Sequence, residues 1–140
     1  MEDTDIRTTF VALTGEFDHF DAVRGLETLA GHEITAGSAR LTIGPRVENG
    51  NDAFGYVGFE GRLHTGSVLV PALKVEIAVT PWSSTRTEIG VRPLGRLGWL
   101  RTDRFLRAAW PVVESLIAEL QPHASPTPLR VVPSPQRVAA

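Results

Sequence analysis

The chain contains no cysteine, one methionine, one tyrosine and a single lysine, Lys74, in 140 residues. The first absence excludes disulfides, thiolate metal sites and cysteine nucleophiles, and leaves the redox compartment open. No apolar run approaches the length of a membrane span. The first residues, Met1-Glu2-Asp3-Thr4-Asp5, show neither the basic nor the apolar region of a secretory signal, so the expectation is a cytoplasmic protein with no membrane partner. Net charge is almost absent as well. Fourteen basic residues stand against 16 acidic ones, which argues against a general binder of nucleic acid or of anionic membranes.

The charge is unevenly spread. Residues 1–33 carry eight acids and two bases, whereas residues 86–107 carry Arg86, Arg92, Arg96, Arg101, Arg104 and Arg107 against Glu88 and Asp103. The arginines read first as a solvated face, with an interaction patch as the alternative.

At this length the chain makes one domain around one core. Its strongest pattern is a helix over 102–120. Phe105, Leu106, Ala109, Val112, Val113, Leu116, Ile117 and Leu120 recur at spacings of three and four, forming one broad apolar stripe. Thr102 or Asp103 can cap it. Pro111 removes the bond to the carbonyl of Arg107 and clashes with that turn, which predicts a kink or break after Trp110.

Before this helix, 7–14 reads as a strand closed by Gly15. A shorter helix follows, capped by Asp18 and running to about Ala30, with Phe20, Val23, Leu26, Leu29 and Ala30 as its stripe. From Glu33 the period changes to about two residues, with strand candidates at 33–45, 53–63, 67–80 and 85–94. The connections around Glu48-Asn49-Gly50-Asn51, His64-Thr65-Gly66 and Trp82-Ser83-Ser84 are short enough for an antiparallel meander.

Register follows from those connections. It places Ile77 opposite Ile89, Val79 opposite Thr87, Phe59 opposite Pro71 and Val57 opposite Leu73. Val57, Phe59, Leu69, Leu73, Val75, Ile77, Ile89 and Val91 then share one buried face for the long helix to cover. Tyr56, Glu60, Arg62, Lys74, Glu76, Glu88 and Arg92 share the other, as a solvent surface that also carries Val68, Val70 and Ala72. Pro71 marks an edge or a bulge. Trp99 and Leu100 are expected to pack under the start of the helix. The fold class is therefore α+β: a curved antiparallel sheet of about five or more strands, packed against a long, kinked C-terminal helix, with a shorter N-terminal helix. Residues 1–121 form the domain. Residues 122–140, holding five of the ten prolines, read as an extended or disordered tail.

Chemical motifs are scarce. His32-Glu33 lacks the second histidine of a helical zinc site, and Asp18, His19 and Asp21 are better explained as helix-start residues, so neither metal nor cofactor is expected. The serines lack a nucleophile-elbow context. Gly55, Gly58 and Gly61 recur in a strand, where glycine marks a bulge, strong curvature or close backbone approach. A sheet bent there under a kinked helix leaves a gap, and Trp110 either plugs or lines it. Val57, Phe59, Leu73, Val75, Ile89, Trp110 and Val113 are accordingly the candidate lining of an apolar ligand pocket.

Strand 7–14, helix 18–30, the strands of 33–94, including Leu73-Lys74-Val75-Glu76-Ile77-Ala78-Val79 and Thr87-Glu88-Ile89-Gly90-Val91, and helix 102–120 together resemble the helix-grip group: START, Bet v 1 and polyketide-cyclase proteins of the SRPBCC type. The resemblance covers about residues 6–120 and is one of order and pattern. The group has six strands after its first helix where four are read here, and a second short helix with no counterpart. What the resemblance implies is a hydrophobic ligand held between sheet and helix, sometimes acted on by a cyclase or hydratase. Three functions remain in view. The first is a small-ligand binding protein. A second is a non-catalytic interaction module or homodimer, using Val68, Val70 and Ala72 or the arginines between 92 and 107. The third is a cyclase-type enzyme that would need Tyr56, Arg62, His64 or Glu76 turned inward.

Overall fold

The computed structural model describes residues 10–47, 56–70 and 72–124. Six strands, β1 (Val11–Gly15), β2 (Glu33–Ala36), β3 (Ala39–Arg46), β4 (Val57–His64), β5 (Ala72–Pro81) and β6 (Thr87–Pro93), form one sheet. They lie in the order β1-β6-β5-β4-β3-β2, and every pairing is antiparallel. With α1 (His19–Leu29) between β1 and β2 and α2 (Trp99–Ala124) after β6, this is the expected α+β architecture: a curved half-barrel sheet, a long C-terminal helix and a short N-terminal one.

Asp18 starts α1 as its sequence suggests. Its Oδ1 accepts from the backbone N–H of Asp21 at 2.8 Å, satisfying one of the free donors of the first turn. Asp18→Ala should therefore lower stability by about 1 kcal/mol in urea titration, and an unchanged midpoint would remove the cap from the account. The buried face of α1 is Ala22, Gly25 and Leu26. Phe20, expected in the apolar stripe, is exposed instead, because small Ala22 and Gly25 turn the helix closely onto the core.

The 33–45 candidate is a hairpin rather than one strand. Gly37, at φ +62°, makes the tight turn between β2 and β3. The long helix starts at Trp99, three residues earlier than expected. It runs on to Ala124, into the stretch assigned to the tail. No break follows Trp110, and the helix continues through Pro111. Ala108 and Ala109 before the proline and Val112 and Val113 after it are all buried, so packing on both sides holds the helix together. Trp99 is 85 % exposed and does not pack under the helix. Leu100 does contact the core.

Strand register departs from expectation by even numbers. Ile77 pairs with Val91 and Val79 with Ile89. Across the other pair, Phe59 meets Ile77, Val57 meets Val79, and Leu63 meets Leu73. The connections are longer than the turn residues suggest. Trp82 and Ser83 both donate backbone N–H bonds to the carbonyl of Arg86 at 3.0 Å, closing the β5–β6 turn further along. Between β4 and β5, the Thr65 hydroxyl donates to the carbonyl of Val70 and accepts from the N–H of Ser67 at 3.2 Å. The Ser67 hydroxyl accepts from the N–H of Leu69 at 3.1 Å. These side-chain bonds compete with the ladder, so Ser67 to Val70 form a loop and β5 begins at Ala72. Leu69 is consequently exposed rather than on the core face, and Val70 is buried rather than part of a surface strip. Pro71, Gly55 and the Glu48–Asn51 turn lie outside the described residues.

Faces survive an even shift. Leu41, Ile43, Val57, Phe59, Leu63, Leu73, Val75, Ile77, Val79, Ile89 and Val91 point to one side and are buried against Phe105, Ala109, Val112, Val113, Leu116 and Leu120 of α2. Burial of such side chains contributes about 1.5–3 kcal/mol each before chain entropy is subtracted, which makes this interface the main source of stability.

Candidate functional site

Six of the seven sequence-proposed pocket residues come together. Val57, Phe59, Leu73, Val75, Ile89 and Val113 all belong to the core cluster between sheet and α2. Phe59, Val75, Ile89 and Val113 are fully buried in this cluster. Close approach accounts for part of this. A Cβ built on Gly61 would stand 3.1 Å from Val75 Cγ2 and 3.2 Å from Ile77 Cδ1, so the missing side chain lets the neighbours fill the space. Trp110 is separate from the six and 49 % exposed. With Phe10, Val11, Leu106 and Pro111 it lines a shallow trough beside edge strand β1.

The face away from α2 carries Tyr56, Arg62, His64 and Glu76, as the alternation requires. Glu76 is nevertheless only 5 % exposed, against the expectation of a plain solvent surface. Arg92, its neighbour across the β5–β6 pair, donates to Glu76 Oε1 from Nε at 2.9 Å and from Nη2 at 2.6 Å. The Tyr56 hydroxyl donates to the same oxygen at 3.5 Å and accepts from Arg92 Nη2 at 3.3 Å. Burial opposes the charge on Arg92. The hydrogen bond and charge of Glu76, with Tyr56 beside them, outweigh it and hold the guanidinium above its ordinary value. The network thus satisfies its own charges. Next to it, the irregular register between Ile43 and Arg46 opens a groove of about 500 Å³ lined by Glu60, Arg62, Lys74, Glu76 and Leu94 among others. Its charges of both signs select no single ligand chemistry.

A second opening has a more definite character. Between the β2–β3 turn and the flank of α2 lies a cleft of about 600 Å³, lined by Ala36, Gly37, Ser38, Ala39, Thr65, Arg104, Arg107, Ala108, Pro111 and Ser115. Its position follows from local structure. Gly37 makes the turn, Gly66 brings the β4–β5 loop against Ser38, and Arg104, Ala108, Pro111 and Ser115 recur every three or four residues along one stripe of α2. Arg107 donates from Nε to Asp103 Oδ2 at 3.0 Å and is paired. Arg104 differs: its Nε is buried and has no acceptor among the described residues. Such a group costs about 1–3 kcal/mol or more when left unmade, since a charged donor is the most expensive kind to strand.

This cleft lies on the stripe of α2 next to the one that carries Val113, the helix residue of the sequence-proposed apolar lining that packs in the core. The periodic signal of large apolar residues marks the buried face. The neighbouring stripe of small residues and arginine could have been found only by asking which helix face is too small to fill its surroundings. Among the described residues no group of three or more metal-ligating side chains gathers, and no helix is long and apolar enough to cross a membrane. Comparison of the chain with protein-family models, with characterised proteins and with solved structures finds no match.

Proposed function

We propose that this protein binds a small amphipathic organic anion in the cleft between the β2–β3 turn and α2. The observation that carries the reading is the buried Arg104 Nε, without an acceptor among the described residues, in a cleft whose other charged side chain, Arg107, is already paired with Asp103. A carboxylate completes that guanidinium through a charge-assisted bond, while Ala36, Ala39, Ala108 and Pro111 offer an apolar floor to an alkyl chain. The volume suits a ligand of ordinary metabolite size. The reading retains a ligand gripped beside the C-terminal helix and moves it from the packed interior to the helix flank.

Calorimetric titration with decanoate, and with decanol as its uncharged counterpart, tests it. Decanoate should bind and decanol should bind much more weakly. Arg104→Gln should weaken decanoate by about 10- to 100-fold, the equivalent of one charge-assisted hydrogen bond. Equal binding of acid and alcohol, or an Arg104→Gln variant indistinguishable from the parent, contradicts the proposal.

A homodimer is the second reading, favoured by the apolar trough of Phe10, Leu106 and Trp110 alongside edge strand β1. Sedimentation equilibrium decides it, and a monomer at high protein concentration removes it.

A further inference from the structure

The antiparallel topology collects three connections at one end of the sheet: the β2–β3 turn, the β4–β5 loop and the segment from β6 into α2. Contacts between them agree. A Cβ on Gly66 would stand 2.7 Å from Ser38 Oγ, and the N–H of Leu94 donates to the carbonyl of Lys74 at 3.0 Å. This end carries large apolar side chains in water. Val68 is 94 % exposed, Leu69 68 % and Trp99 85 %, and Leu94 is also exposed.

Beside Trp99, the charge without an ion-pair partner among the described residues has one sign, since Asp103 is paired with Arg107. Arg96 and Arg101 flank Trp99, both are exposed, and neither forms an ion pair among the described residues. No acidic residue occurs from Ile89 to Thr102, or from Gly61 to Val75. The opposite end carries Glu16, Asp18 and Asp21, with Arg86 and Arg24 engaged in ion pairs to Glu16 and Asp21. Among the described residues, arginines without an ion-pair partner therefore gather at the apolar end, while Arg24 and Arg86 at the other end are held by acids.

We propose that the end bearing Val68, Leu69, Leu94 and Trp99 docks on an anionic lipid bilayer, with Arg96 and Arg101 contacting the headgroups. An indole with an apolar body and a polar N–H is suited to the membrane–water interface, and leucines beside it add apolar area that a flat, fluid surface accepts without a matching groove. Arginines around those side chains supply attraction to anionic lipid within a Debye length. No rigid concave partner is called for, since the exposed side chains come from separate loops rather than from one periodic face. The proposal does not depend on the cleft, although the cleft opens at the same end, between Ser38, Thr65 and Arg104.

The test is co-sedimentation of the full chain with phosphatidylcholine vesicles and with vesicles containing phosphatidylglycerol. Alongside it, the emission of Trp99 is followed in a Trp82→Phe, Trp110→Phe background. Binding to the anionic vesicles only, with Trp99 emission moving to shorter wavelength and quenched by brominated lipid, is the expected result. Arg96→Gln with Arg101→Gln should weaken binding by about 10- to 30-fold, and added salt should do the same. Trp99→Ser should weaken it too while leaving the circular dichroism unchanged. Absence of vesicle binding overturns the proposal. So does binding that ignores the arginines, or binding to polyglutamate without binding to vesicles, which would assign the patch to an acidic polypeptide.

Discussion

Phe59→Ala is expected to lower stability by about 3–5 kcal/mol, the largest effect of any single truncation considered for this chain. Phe59 lies on β4 near the middle of the sheet, has no accessible surface, and faces Ile77 directly across the β4–β5 pair. Removing its ring takes away the transfer free energy of an aromatic side chain and leaves a cavity that two adjoining strands can close only in part. Chemical denaturation should show the midpoint falling with little change in slope. A loss below about 1 kcal/mol would mean that the ring does not lie in a close-packed core. The same variant bears on function. If the ligand occupied the interior, enlarging that space would alter decanoate affinity strongly; a ligand at the helix flank should be affected little once the variant is folded.

Pro111→Ala should act in the opposite direction, raising stability by about 1–3 kcal/mol. Proline in a helix interior is about 3 kcal/mol less favourable than alanine, and the variant restores an N–H able to donate to the carbonyl of Arg107. The gain falls short of the full value if the present helix has already relaxed around the ring. Pro111 is also a wall of the cleft and of the Trp110 trough. The variant should therefore be more stable and should bind decanoate less well, as expected where a locally unfavourable residue is retained for function. A thermal midpoint that falls would show that the ring contributes packing worth more than the lost helix bond.

Much of the fold could be read from alternation and helical period, because the faces of a strand depend on parity alone. The short connections put Phe59 opposite Pro71, and it meets Ile77, a shift of six residues; they put Val79 opposite Thr87, and it meets Ile89, a shift of two. Both shifts are even, so the core face emerged correctly from an incorrect register. The longer connections were harder to see, because Thr65 and Ser67 tie their own loop with side-chain bonds that no hydrophobic pattern records. Similarly, Phe20 and Trp99 look like core residues by composition alone. Their exposure depends on which way α1 and the start of α2 face once the sheet exists. The cleft was illegible for a related reason. Gly37, Ser38 and Thr65 are distant in sequence from Arg104 and Ser115; the pairing of Arg40 with His64 joins the turn to the loop, and the packing of α2 on β2 and β3 brings the helix flank to them. Net charge misled through averaging, since Arg96 and Arg101 stand without ion-pair partners among the described residues beside Trp99, whereas Arg24 and Arg86 at the other end are paired with Asp21 and Glu16.

The most direct test of the cleft is a nitrogen–proton correlation spectrum of labelled protein titrated with decanoate. Saturating shifts at Gly37, Ser38, Thr65, Arg104, Ala108 and Ser115, with Phe59, Val75 and Ile89 unmoved, are the predicted result. Shifts centred on Val57, Phe59, Val75, Ile89 and Val113 instead would place the ligand inside the core and contradict the account, and so would a spectrum that decanoate leaves unchanged.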